Sequence, residues 1–166
     1  MQNLTVKSVE SLSRTLGKEL FARGQKVSSV ESCTGGGVAF AITEVAGSSH
    51  WFEKSWVTYS NEAKNEEVNV SLDTLAMHGA VSSEVVVEMA QGGLQKSGAD
   101  LCVSISGIAG PGGGSAKKPV GLVWFAIATA DHTRSFSRCF SGDRYQVRQQ
   151  AISLAITELI VSLVNT

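Results

Sequence analysis

The chain has little of what marks a specialised class of protein. It holds two prolines in 166 residues, too few for a proline-rich linker. Its three cysteines, Cys33, Cys102 and Cys139, are an odd number without close spacing, which excludes a disulfide framework. No cysteine–histidine cluster has metal-ligand spacing, so no structural metal is expected. Charge of one sign is also missing: 14 Lys and Arg face 15 Asp and Glu, for a net charge of −1. Without a basic excess there is no electrostatic footprint for nucleic acid or an anionic membrane, and neither is expected as a partner. No apolar run reaches the ~20 residues that span a bilayer. The longest, Val120 to Ala130, reads as a buried strand. Met1 to Glu10 lacks the apolar core of a signal peptide, which makes a reducing cytoplasm the expected location.

What is present is an ordinary globular composition, 43% hydrophobic and 17% charged, long enough for one domain over residues 1–166 with a real core. Val9, Leu12, Leu16 and Leu20 recur at helical spacing, predicting a helix over 5–23 closed by Gly24. Val27 to Val30 reads as a strand, Glu31 to Gly37 as a tight turn, and 35–46 as a helix ended by Gly47. Trp51-Phe52 is expected in a loop. A strand over Ser55–Tyr59 precedes a short helix capped by Ser60 or Asn61, another helix around Leu72–Met77, and a longer one from Ser82 or Ser83 to Lys96. The paired Gly92-Gly93 inside that helix suggests a close helix–sheet contact. Strands follow at Asp100–Ser106, Pro119–Ala130 and Thr133–Ser141, the last two as a hairpin with Phe136 and Phe140 on one face. A helix from Arg144 to about Leu163 completes the chain. Alternating strands and helices plus a hairpin predict an α/β fold: a three-layer α/β/α sandwich on a mixed sheet.

Such sheets place ligands at the loops after their strand ends. Glu31-Ser32-Cys33-Thr34-Gly35-Gly36-Gly37 is the first candidate. A turn there lifts Ser32 and backbone N–H groups off the sheet edge beside a helix N-terminus, which suits a nucleophile or an anion. Alternatively, Ser32 or Thr34 simply caps the helix. A serine nucleophile needs a base. None of His50, His78 and His132 belongs to a recognisable triad pattern. Lys64 serves as a base if burial makes it neutral, and is a solvated surface lysine if it does not. Cys33 reads as a small packed side chain or a second nucleophile. The loop Gly107 to Ser115 either offers N–H groups, Gly107 and Ile108 first, to an oxyanion or is a plain flexible loop. It fits neither phosphate-loop nor dinucleotide fingerprints. Arg144 and Arg148, four apart on one helix face, either hold a phosphate or form a surface pair.

Five stretches then carry a resemblance that covers nearly the whole chain. Glu31-Ser32-Cys33-Thr34-Gly35-Gly36, Val57 to Lys64, His78-Gly79-Ala80-Val81-Ser82, Ser104 to Pro111 and Lys118-Pro119-Val120-Gly121 resemble, in order, the CinA C-terminal domain family in its stand-alone form. Members of that family include nicotinamide mononucleotide (NMN) deamidases and fused proteins called competence/damage-inducible. The resemblance implies an amidohydrolase that turns NMN and water into nicotinic acid mononucleotide and ammonia in pyridine nucleotide salvage. It implies Ser32 as nucleophile, Lys64 as its base, Tyr59 as a further site residue, no cofactor, and a homodimer or larger assembly. Oxyanion and substrate contacts would come from Cys33, Thr34, Gly35, Gly107, Ile108, Arg144 and Arg148. Gly112 departs from the family pattern, in which a polar residue often follows the Gly-Pro pair. The competing reading is an inactive paralogue that uses the same pocket as a nucleotide-binding module.

Overall fold

The computed structural model describes residues 8–164. Strand β1 (Val27–Glu31) is buried at every position, as a strand covered on both faces must be. It pairs in parallel with β2 (Phe52–Val57) and β3 (Leu101–Gly107). The hairpin of β4 (Leu122–Thr129) and β5 (Thr133–Cys139) extends the sheet antiparallel from β3, giving the order β2-β1-β3-β4-β5.

Helices cover both faces. Helices α1 (Val9–Arg23), α2 (Gly37–Thr43) and α6 (Arg144–Val164) bury Leu16, Leu20, Ile42, Ile156 and Leu159 against Val27, Val103, Ile105 and Phe125. On the other face lie α3 (Asn61–Val68), α4 (Leu72–His78) and α5 (Ser83–Ser97), and the α5 residues Val85, Val86, Met89 and Ala90 pack with Val30, Cys102 and Ala126. The expected three-layer sandwich on a mixed sheet is the architecture found. Phe136 and Phe140 meet the same core ring, Phe125, at centroid distances of 5.1 and 6.3 Å. Helix α6 is apolar and long enough for a membrane span, but Val147, Ala151, Ile152, Ala155, Ile156, Leu159 and Leu163 are buried in the core.

Several boundaries differ from the expected ones. The first helix begins at Val9, because Ser8 is extended and its hydroxyl caps the Ser11 N–H; residues 5–7 lie outside the described residues. Trp51 is buried over Gly17, where a Cβ would stand 2.5 Å from the indole, and β2 starts directly after it at Phe52. Strand β4 starts at Leu122 rather than Pro119. Proline offers no N–H to a ladder, and Gly121 at φ 94° bends the chain while the Leu122 N–H closes a turn on the Pro119 carbonyl. Helix α2 starts later than expected because Gly35 and Gly36 take φ of 58° and 90° and stay in the turn, and it ends at Thr43 rather than Ala46.

The glycine pair of α5 marks close contacts on two sides. A Cβ on Gly93 would lie 2.5 Å from Val30 and 2.7 Å from the Cys102 sulfur, and one on Gly92 1.8 Å from the Val68 carbonyl oxygen of α3. Backbone cannot yield as a side chain end can. Gly92→Ala is therefore expected to cost about 3 kcal/mol, the upper range for overpacking, in urea unfolding. A cost below 1 kcal/mol would mean that α3 moves aside freely.

Candidate active site

The site is built where β1 ends. The Ser32 N–H still donates to the Ile105 carbonyl at 3.0 Å, so the serine stands one residue past the strand on rigid backbone. The chain then folds tightly: the Gly35 N–H donates to the Ser32 carbonyl and the Gly37 N–H to that of Thr34, at 3.0 and 3.1 Å. Helix α2 follows with Gly36 at its N-cap, a residue with no side chain to cap it. Its first N–H groups need an acceptor from elsewhere. Glu31 provides it. This fully buried carboxylate accepts from the N–H groups of Gly36, Val38 and Ala39 at 3.1, 3.0 and 2.9 Å, and from the Thr34 hydroxyl at 2.7 Å. Neither Ser32 nor Thr34 caps the helix, and Ser32 keeps its hydroxyl for other work.

Opposite the serine stands Lys64, on α3. Ser60 caps this helix by accepting from the Ala63 N–H, and Lys64 points inward at 1% exposure. It is no solvated surface lysine. Its Nζ lies 2.7 Å from the Thr58 carbonyl, 3.3 Å from Ser32 Oγ and 3.5 Å from the Ser60 carbonyl. Burial lowers its pKa from 10.5 to about 8, since the ammonium loses hydration. A neutral amine has two N–H bonds and one lone pair. With the two carbonyls receiving the N–H bonds, the lone pair is left for the Ser32 hydroxyl, which is the arrangement of a general base on its nucleophile.

The neighbouring thiol is unsuited to that role. Cys33 is packed in the core, and burial pushes its pKa up to about 11, so it stays protonated at neutral pH. The histidines stand elsewhere: His50 packs edge-on to Phe21, His78 faces Glu84, and His132 bonds Thr129.

The two arginines part company. Arg144 is exposed at the rim, donating to the Tyr59 hydroxyl at 3.0 Å and to the Gly110 carbonyl at 2.9 Å. Tyr59, 60% exposed, thus stands free to meet a ligand ring. Arg148, half-buried, reaches the nucleophile turn and donates through Nε to the Cys33 carbonyl and through Nη2 to the Thr34 carbonyl, both at 3.1 Å. Gly107 ends β3 opposite Val123, where a Cβ would stand 2.7 Å from the valine. The Ile108 N–H is committed to the Leu122 carbonyl at 2.9 Å and is not free for a ligand. In the turn, by contrast, the Thr34 N–H has no acceptor among the described residues.

A cleft of about 480 Å³ runs between the glycine-rich loop and the start of α6, lined by Ala109, Pro111, Val120, Asp143, Arg144 and Arg148. A second, of about 580 Å³, lies against the turn with Gly35, Phe40, Tyr145 and Arg148 at its walls, and neither cleft is lined by Ser32, Tyr59 or Lys64. Sequence reasoning gave no role to Glu31. The signal available was a helix start made only of glycines, which demands a remote acceptor, with one carboxylate nearby.

Comparison with known proteins places this chain among relatives. The model of the CinA C-terminal domain matches residues 9–163. Nicotinamide-nucleotide amidohydrolase PncC of Escherichia coli K12 is 57% identical over 157 residues, covering 94% of this chain and 95% of its own. The protein of the same name in Shigella flexneri is 56% identical over the same shares. Among solved structures, the competence damage-inducible protein A (ComA) of Klebsiella pneumoniae superposes with a TM-score of 0.92 at 37% identity, covering 95% of this chain and 98% of its own.

Proposed function

The chain belongs to the CinA C-terminal domain family, and from that premise we propose that it hydrolyses NMN to nicotinic acid mononucleotide and ammonia in pyridine nucleotide salvage, with Ser32 as nucleophile and Lys64 as base. It is an amidohydrolase of nicotinamide nucleotide, like the E. coli and S. flexneri proteins that cover nearly all of it. The observation that carries the catalytic reading is the buried amine 3.3 Å from Ser32 Oγ, with two carbonyls occupying its N–H bonds.

In this mechanism Lys64 takes the Ser32 proton as Oγ attacks the carboxamide carbon. The carbonyl oxygen becomes an oxyanion, met by N–H groups of the Cys33–Thr34 turn. The intermediate collapses by breaking the C–N bond, and Lys64 returns its proton to the departing nitrogen, which leaves as ammonia. A water then gives a proton to Lys64 and attacks the Ser32 ester. Breaking the ester bond returns the proton to Ser32 and releases the carboxylate. Tyr59 offers a ring face to the pyridinium, and Arg144 is the exposed guanidinium at the rim for the phosphate. Hydrolysis of this kind has no redox step. A reducing compartment suits the free thiols of Cys33, Cys102 and Cys139. Self-association suits the exposed Phe40, Val57 and Tyr145 around the turn.

The test is ammonia release from NMN in buffer without added metal, with nicotinic acid mononucleotide as co-product. Binding of NMN without turnover would replace hydrolysis by the nucleotide-binding module. The pH profile follows from Lys64. The active form is the neutral amine, and a pKa of about 8 makes it scarce at pH 7 and dominant at pH 9. The chemical step should therefore accelerate about tenfold from pH 7 to 9 and then level off. A flat profile for that step would remove Lys64 as the base.

A further inference from the structure

The remaining puzzle is a guanidinium that lines the cleft beside Arg144 yet spends its donors on the backbone of the nucleophile turn. Arg148 lies on α6, in the opposite helical layer from the α3 that carries Lys64. We infer that Arg148 is a positioning residue of the oxyanion site: it holds the Cys33–Thr34 and Thr34–Gly35 peptides so that the Thr34 N–H faces the developing charge. The inference rests on the reading of Ser32 as an acyl-transfer nucleophile.

The geometry runs through three successive peptides. A trans peptide is planar, with its C=O and N–H on opposite sides. The Ser32 carbonyl is held by the Gly35 N–H at 3.0 Å, which turns the Cys33 N–H the other way. The Cys33 carbonyl is held by Arg148 Nε at 3.1 Å, which turns the Thr34 N–H away from that guanidinium. The Thr34 carbonyl accepts from Arg148 Nη2 and from the Gly37 N–H, both at 3.1 Å, so there the guanidinium adds to a bond the turn already makes. The rigid fork fits two adjacent carbonyls as no lysine could. On the other flank, the Thr34 hydroxyl is fixed to Glu31 at 2.7 Å, so the residue cannot rotate as a whole. The result is an N–H with no acceptor among the described residues, in a peptide whose carbonyl carries a charge-assisted hydrogen bond. Such a bond polarises the peptide and strengthens its N–H as a donor. A pre-oriented donor costs no reorganisation when charge develops.

This differs from a phosphate clamp in what it predicts. Arg148→Gln keeps one N–H donor without charge, and Arg148→Met keeps none. Both are compared with wild type on NMN and on nicotinamide riboside, which has the same carboxamide and no phosphate. Arg148→Met is expected to lower kcat about 10²-fold, the scale of losing one oxyanion donor. KM for NMN should stay within about threefold, the riboside should lose proportionately as much, and Arg148→Gln should lie between. Pyridine-3-boronic acid, which forms a tetrahedral adduct on a serine, should lose inhibition of Arg148→Gln in parallel with kcat, while affinity for nicotinic acid mononucleotide is kept. That last pair separates positioning from a general structural role, and it remains readable if Arg148→Met fails to fold. A raised KM for NMN with kcat and the riboside unaffected would overturn the inference and make Arg148 the phosphate ligand. Unchanged kinetics would overturn it too. Wild-type enzyme that releases no ammonia would instead sink the underlying reading of Ser32.

Discussion

Ser32→Ala is expected to reduce ammonia release from NMN by at least ~10⁴-fold, to the residual level that binding and oxyanion contacts alone sustain, while leaving the fold intact. Among the described residues the serine side chain makes one hydrogen bond, with Lys64 Nζ, and its backbone carries the link to Ile105. Removing the hydroxyl thus removes the nucleophile and little else. Lys64→Ala and Lys64→Met should be equally silent, because a serine without a base is a poor nucleophile. Residues that act as a unit lose activity non-additively, so the double variant should be no worse than either single one. Circular dichroism must show native spectra for all of them. Turnover above a few per cent of wild type in any would dissolve the dyad.

The lysine variants carry a second reading, on stability. In the folded chain the ammonium is disfavoured: its pKa falls from 10.5 to about 8. The unfolded state therefore binds the proton more tightly, and below pH 8 the lysine costs the fold on the order of 3 kcal/mol. Between pH 8 and 10.5 the unfolded state holds more protons than the folded one, so wild-type stability rises with pH there as the cost fades. Lys64→Met should be more stable than wild type at pH 6, by less than the full amount because the Thr58 carbonyl loses a donor. The gap should narrow toward pH 10.

Glu31→Ala is the other large effect. The variant leaves three backbone N–H groups and the Thr34 hydroxyl without their acceptor inside the fold, and a small cavity beside them. Each buried unsatisfied group costs about 1–3 kcal/mol. Water entering the cavity offsets part of that, so the expected loss is about 3–5 kcal/mol in urea unfolding, with activity falling further than the folded fraction alone explains. Glu31→Gln should lie between, since its amide turns a donor toward donors and gives up the charge that favours a helix N-terminus. A loss under 1 kcal/mol for alanine would show that the turn holds its own shape.

The fold was largely legible in the sequence because its elements are strongly periodic and bounded by glycines. Leu12, Leu16 and Leu20, the buried β1 run, and Phe136 and Phe140 all sit where their spacing puts them. Two of the boundaries that slipped did so for backbone reasons, at Pro119–Gly121 and Gly35–Gly36, where φ or a missing donor outweighs apolar character. At the site, spacing alone could not decide between a surface lysine and a buried base at position 64. Whether a lysine on a short polar helix points in or out depends on the carbonyls of Thr58 and Ser60, and backbone carbonyls leave no trace in composition. The two arginines illustrate the same limit. Arg144 and Arg148 share a face at i, i+4, yet one meets Tyr59 and the other a turn 115 residues earlier in the chain. Periodicity gives the face but not the partner.

The burial of Lys64 has a consequence on an evolutionary scale. A charged residue that weakens its own fold is under standing pressure to mutate, since an apolar side chain of similar length would restore stability at once. This chain retains the lysine, the serine it faces and the carbonyls that aim it. On the proposed reading the site gives up stability for a neutral amine at Ser32, so a substitution that relieves the cost silences the enzyme with it.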